Sequence, residues 1–263
     1  MKFLIQKIGG QIVHDFSFTL LESIRYNNWI RDYQLPHKKE ITHKFINSFD
    51  VVEPNDIYPI TPFKQYHYTK KYVPIGSVEF VNEFLAHFYG FILKPTNVPE
   101  ELFHYAGREI FNGDESSLNK LHGDYFVKSN DYIKGFAEII GCSSSGNQFP
   151  EAPPVGNYQI SEFVHGIESE WRAFVYEGKL VGLKNYSGDF TRWPTTNIIN
   201  GMIGNYKSAP IAYTLDVAIS DDRGTFVMEC HPFVSCGLYG FAEHKILPYM
   251  FYKCFHELIL KSK

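Results

Sequence analysis

Apolar and polar positions alternate with period two through residues 211–220 and again through 225–231. The four polar residues between them, Asp221, Asp222, Arg223 and Gly224, make a tight turn, so the stretch predicts a half-buried β-hairpin. With the turn closed over those four residues, Ser220 faces Thr225 and, counting back, Asp216 faces Glu229. Alternation then puts Thr214, Asp216 and Ala218 on one sheet face with Val227, Glu229 and His231. Opposed side chains stand roughly 4.5–5.5 Å apart at Cβ, and like charges there destabilise the pair. Two carboxylates so placed on a mostly apolar hairpin call for a compensating cation.

The same reading sorts the remaining chain. Residues 2–13 read as a strand with a Gly9-Gly10 turn, and 17–31 as an aromatic-rich helix. Residues 36–44 are polar and basic and predict a loop, while 49–62 are strand-like but cut by Pro54, Pro59 and Pro62. An apolar stripe of Phe80, Val81, Phe84, Leu85 and Phe88 predicts a helix within 73–90. Ser77 suits its N-terminal cap, Glu79 its first turn and Gly90 its end. Residues 91–99 predict a strand and the domain boundary, and 100–111 a short helical stretch with Arg108. A strand at 124–130 carries Lys128, with Lys134 in the loop beyond, and 143–156 form a Pro-rich loop. A strand at 158–164 precedes a second hairpin, 170–176 with 179–184, whose tip is Glu177-Gly178. Residues 193–206 predict a loop and helix, and 243–261 a closing helix with a break at Pro248.

Composition narrows the class. The chain has 263 residues, 44% hydrophobic and 17% aromatic, which is enough for a sizeable core and excludes disorder. A net charge of −4 offers no electrostatic case for nucleic acid or an anionic membrane. Cys142, Cys230, Cys236 and Cys254 are scattered without paired spacing, which argues against a disulfide scaffold or zinc finger and suits a reducing cytosol. No secretory leader and no apolar run of the ~18 residues that span a bilayer is present, so the expected location is the cytoplasm.

Several residues carry candidate chemistry. The facing acids Asp216 and Glu229 suit a hard divalent ion such as Mg²⁺, although acids on a solvated strand are common without a metal. Lys128 and Lys134 flank one loop, which suits a polyphosphate; a lysine inside a strand more often lays its stem on apolar surface. Glu170 and Arg172 lie two apart and so share a face of their strand. A helix N-terminus beside Gly76 offers a further anion site, against the ordinary reading of a packed helix.

From about residue 91 onward the chain resembles the ATP-grasp superfamily. The resemblance rests on the strand lysine in FVKSND, on SEFVHGIESEWRAFVYEGKLVG and on the acids of LDV…MECHPF. It is closest to a small clade with a PxGSxEFV segment, matched at residues 74–81, and a Gly-Arg dipeptide, matched by Gly107 and Arg108. The implied fold is α+β / α/β: an ATP-grasp fold of two α+β subdomains at 91–263, preceded by a small N-terminal α/β domain at 1–90. The implied activity is an ATP- and Mg²⁺-dependent joining of a small-molecule or peptide carboxylate to an amine through an acyl phosphate. Carried over, Lys128 contacts the nucleotide, Lys134 and Arg108 bind phosphates, and Glu162, Phe163 and Val164 form the hinge at the adenine edge. Glu170 would hold the ribose hydroxyls, and Arg172 would neutralise the transferring phosphoryl group. Asp216 and Glu229 would hold Mg²⁺, joined by His231, which stands where relatives often have Asn. Lys184 is a further phosphate candidate, but the simplest hairpin register puts it on the opposite face from Arg172.

Two other readings compete with the ligase. One is a nucleotide-binding module without turnover, motivated by His231 and by a Lys128 loop that is not glycine-rich. The other is a metal enzyme using Asp216, Glu229 and His231 without ATP, such as an iron oxygenase. That site takes two His and one carboxylate, the reverse of the count here.

Overall fold

The computed structural model describes residues 1–47, 70–118, 121–141 and 154–262. The proline-cut segment at 49–62, Cys142 and most of the Pro-rich loop at 143–156 lie outside the described residues. The first elements are β1 (Lys2–Lys7), α1 (Asp15–Gln34), β2 (Thr42–Asn47), β3 (Val73–Ile75) and α2 (Val78–Tyr89). A 3-10 turn at Glu100–Tyr105 leads to β4 (Ile110–Asp114), α3 (Glu115–Leu118), β5 (Tyr125–Ser129), β6 (Ala137–Ile140) and β7 (Asn157–Glu162). The chain closes with β8 (Ser169–Tyr176), β9 (Lys179–Gly188), α4 (Thr196–Asn205), β10 (Ala212–Ser220), β11 (Gly224–Pro232) and α5 (Leu247–Lys261). Among the described residues, no helix is long and apolar enough to cross a membrane.

These elements form two compact units. The first comprises Met1–Ile92, Pro210–Tyr213 and Pro232–Lys263; the second comprises Leu93–Ala209 and Thr214–His231.

The first unit is built on a parallel sheet in the order β2-β1-β3. Its central strand buries Phe3, Leu4 and Ile5 completely, as strands inside parallel sheets usually do, and its buried polar side chain, Gln6, accepts from the Ser77 amide. The α2 helix begins where expected: the Ser77 hydroxyl accepts from the Phe80 amide at 3.2 Å, and Gly90 ends the helix in the left-handed region at φ 80°. A Cβ on Gly76 would stand 2.3 Å from Gln6 Oε1, the oxygen that accepts from the Ser77 amide, so only glycine fits. In α5, Pro248 sits in the first turn and starts the helix instead of breaking it, since that position needs no amide donor. Thr42–Asn47 is a strand where the basic pattern reads as a loop; its polar side chains lie on an exposed edge strand.

The second unit holds two four-stranded sheets, β4-β7-β5-β6 and β11-β10-β8-β9. The first packs Leu118, Val127, Ile140, Tyr158 and Ile160 into one core. Residues 91–99 form no strand: Pro95 and Pro99 cannot donate to a ladder and Asn97 turns to φ 49°. The buried Gln159 side chain pins this segment, accepting from the Val98 amide and donating to the Val98 carbonyl, each at 2.9 Å. Replacing the α2 cap by Ser77→Ala should cost about 1 kcal/mol, read as a lower urea midpoint at unchanged slope.

Candidate functional site

The side chains that meet in the second unit come mostly from the neighbouring strands β8, β10 and β11, whose alternation aims every second residue at one face, and Lys128 comes from β5 of the other sheet. Asp216 is central on β10 and only 1% exposed. Arg172, on the adjacent β8, grips it in a two-pronged pair, Nε to Oδ1 at 2.8 Å and Nη2 to Oδ2 at 2.6 Å. Glu229 on β11 touches the Lys128 ammonium through Oε2 and meets His231 Nε2 at 2.8 Å through Oε1. Donor atoms of Asp216, Glu229 and His231 all lie within 4.8 Å of one another. The expected gathering of the two acids is therefore present, and Lys128 stands against one of them.

Burial and charge set the protonation of this group. Burial pushes the Asp216 carboxyl up, and the Arg172 pair pulls against it. Burial also pushes Glu229 up, but His231 and Lys128 together more than offset it and hold that carboxyl well below its ordinary range. Cys230 is pushed well above the thiol range by burial and by the same two acids, so it is no nucleophile. A small octahedral cation with 2.0–2.1 Å bonds wants donor atoms about 2.9 Å apart when adjacent and about 4.2 Å when opposite. Three donors on two neighbouring strands within 4.8 Å come close to that spacing, so Asp216, Glu229 and His231 fit a small divalent ion.

Two irregularities in β9 complete the face. From the tip at Glu177 and Gly178, both at positive φ, the ladder pairs Tyr176 with Lys179 and Val175 with Leu180. A bulge then inserts Val181, so Arg172 pairs with Lys184 and the two share a face. The uniform register, with Lys184 facing away, is overturned by that one extra residue. A second bulge inserts Tyr186, whose hydroxyl donates to Glu170 Oε2 at 2.7 Å and whose ring lies 5.8 Å from the Arg172 guanidinium. Burial, then the Asp216 charge, pushes the Tyr186 phenol far above its usual range, so it stays a donor.

A separate cluster gathers at the ends of β7 and β10. Arg223, from the turn before β11, pairs with Glu162 at 2.8 Å and donates to the Gly107 carbonyl. Gly107 takes φ 61°, and a Cβ there would stand 3.3 Å from Phe226, a close approach that delivers Arg108 beneath the β11 backbone. Arg108 donates to the Ala106 and Val227 carbonyls and covers the Phe226 ring, and burial brings its pKa down to about 10. The Glu162 and Phe163 amides donate to Glu109 and Asp124 carbonyls, whereas the Val164 amide has no hydrogen bond among the described residues. Lys134 lies in the β5–β6 turn at φ 56°. Sequence reasoning missed Tyr186 and Arg223. A basic residue inside an acidic turn is a signal for the second, but a bulge leaves none for the first.

The chain belongs to the ATP-grasp family described as "ATP-grasp domain, R2K clade family 2", which matches residues 105–248. Solved structures agree on the fold. D-alanine–D-alanine ligase from Bacillus anthracis is similar at TM-score 0.50 and 12% identity, with 100% of both chains covered. D-cycloserine synthetase DcsG is similar at TM-score 0.53 and 10% identity, again with 100% of both covered. No curated protein sequence matches the chain.

Arg172→Met would leave Asp216 buried without its partner and should cost about 3–5 kcal/mol, with Asp216→Asn restoring much of the loss; denaturant titration of both variants checks this. Arg223 holds the Glu162 carboxyl below its ordinary 4.5. A depressed carboxyl stabilises the fold above its unfolded pKa and loses that contribution as pH falls through its folded value. Arg223→Gln should therefore lower stability at pH 7 by roughly 0.2–1 kcal/mol, and the deficit should shrink steadily as pH is lowered below 4.5, read from melting curves across that range.

Proposed function

We propose that the protein is an ATP- and Mg²⁺-dependent carboxylate–amine ligase, working through an acyl phosphate and releasing ADP. The observation that carries this is the meeting of Asp216, Glu229 and His231 donors within 4.8 Å, with Lys128 on Glu229 and Arg172 on Asp216. Family membership supports nucleotide handling, and the solved structures of similar fold are named as a ligase and a synthetase. All of these residues follow residue 90, and the assignment of 1–90 and 91–263 as two domains belongs to the same proposal.

Each side chain takes a role that its surroundings allow. Asp216, Glu229 and His231 would hold the metal, which would supply positive charge to offset that of the phosphates. Lys128, now against Glu229, would turn its ammonium to the phosphates as the acid takes the metal. Arg172 and Lys184, opposite one another on β8 and β9, present two further cations on that face. Glu170 would accept from the ribose hydroxyls, and the Val164 amide has a donor free for the adenine edge. Arg108 and Lys134 would steady phosphate, although Arg108 already spends donors on backbone carbonyls. The substrates would be a small-molecule or peptide carboxylate and an amine, with no nucleic acid and no membrane.

A second reading, nucleotide binding without turnover, has one observation in its favour: both acids are already neutralised by the chain's own cations. Incubation with ATP, Mg²⁺ and pooled carboxylates and amines should release ADP and phosphate. AMP and pyrophosphate would overturn the assigned chemistry, and a melting point raised by ATP with no ADP formed would favour the second reading. Glu229→Gln should weaken Mg²⁺-dependent ATP binding about tenfold or more while moving the ligand-free melting point little. A large drop without ligand would make the residue structural.

A further inference from the structure

Tyr186 has no part in the roles assigned above, yet it touches two residues that do. It is the extra residue of the second bulge in β9: Trp171 pairs with Asn185 and Glu170 with Ser187, and the register steps over Tyr186 between them. Bulges re-aim a side chain at the expense of one rung of the ladder. The neighbouring Asn185 holds this one in place, its side-chain amide donating to Ser169 Oγ and the Glu170 carbonyl at 3.0 Å and to the Ser187 carbonyl at 2.9 Å.

What the bulge aims is specific. The Tyr186 hydroxyl donates to Glu170 Oε2 at 2.7 Å, and its ring lies 5.8 Å from the Arg172 guanidinium. Among the described residues, Glu170 Oε1 has no hydrogen-bond partner, so one oxygen is fixed and the other stays available as an acceptor. A half-exposed glutamate on its own samples several rotamers, and holding it in one of them costs entropy when a ligand binds. The hydroxyl removes that cost beforehand.

We infer that Tyr186 is a positioning residue that holds Glu170 so that its second carboxylate oxygen accepts from the sugar hydroxyls of a bound nucleotide. The inference rests on the nucleotide reading above and adds a residue to it. Tyr186 does not touch the nucleotide; it acts through Glu170.

The test compares dissociation constants for ATP and 2′,3′-dideoxy-ATP, with Mg²⁺, on the full-length protein by isothermal titration. The wild type should prefer ATP. Tyr186→Phe keeps the ring over Arg172 and should cut that preference about tenfold or more, the effect of losing one hydrogen bond to a charged group. Affinity for the dideoxy nucleotide should stay the same. Glu170→Ala should abolish the preference, and adding Tyr186→Phe to it should change nothing further.

An unchanged preference in Tyr186→Phe would overturn the inference, as would equal weakening of both nucleotides or full additivity in the double variant. A Tyr186→Phe protein that no longer folds would also overturn it, by making the hydroxyl structural. These failures leave wild-type ATP binding intact and so differ from failure of the nucleotide reading, in which the wild type binds neither nucleotide.

Discussion

A buried carboxylate must be neutralised, and the Arg172–Asp216 pair is how this protein meets that requirement. Asp216 is 1% exposed in the middle of a sheet, where an unpaired charge would be unfavourable by several kcal/mol. Both of its oxygens receive donors from a guanidinium on the neighbouring strand. Planar two-pronged geometry suits this position, since a lysine could supply the charge but not both aligned bonds. Glu229, less buried, is served by the single ammonium of Lys128 and by His231. The two acids are thus neutralised by internal cations of different geometry, a two-pronged guanidinium and a single ammonium. Of the two pairs, the lysine's single contact is the simpler to exchange, since it breaks no fork.

The rest of the face depends on two extra residues in β9. Val181 moves Lys184 to the side of Arg172, and Tyr186 turns a phenol toward Glu170. A regular hairpin from the same turn would scatter these groups over both faces. The irregular strand therefore concentrates cations on one face, and β10 and β11 carry the acids.

Much of this could be read from the residues alone. The hairpin of 211–231 appears as β10 and β11, with Gly224 at φ 63° after the turn, but β10 is buried on both faces and not half-buried as its alternation reads. The cap at Ser77, the strand holding Lys128 and the tip at Glu177-Gly178 follow from local chemistry of the same kind. What was not legible is long-range. Nothing in residues 91–99 says that Gln159 holds them, and nothing in 179–188 says where a ladder gains a residue. Strand β6 is short and mostly exposed, and its pattern is too weak to separate from a loop. The grouping of Lys128 with Glu229, and of Arg223 with Glu162, joins residues far apart in sequence; the family resemblance suggested the first, and for the second the acidic turn singles out Arg223 but not its partner.

The central claim is that Asp216 and Glu229 together grip a divalent ion on a nucleotide's phosphates. Manganese titration followed by electron paramagnetic resonance, with a non-hydrolysable ATP analogue present, addresses it directly. The wild type should remove free Mn²⁺ signal to saturation, and a protein carrying Asp216→Asn with Glu229→Gln, folded by circular dichroism, should leave that signal free beyond what the analogue alone binds. Undiminished manganese uptake by the double variant would contradict the account.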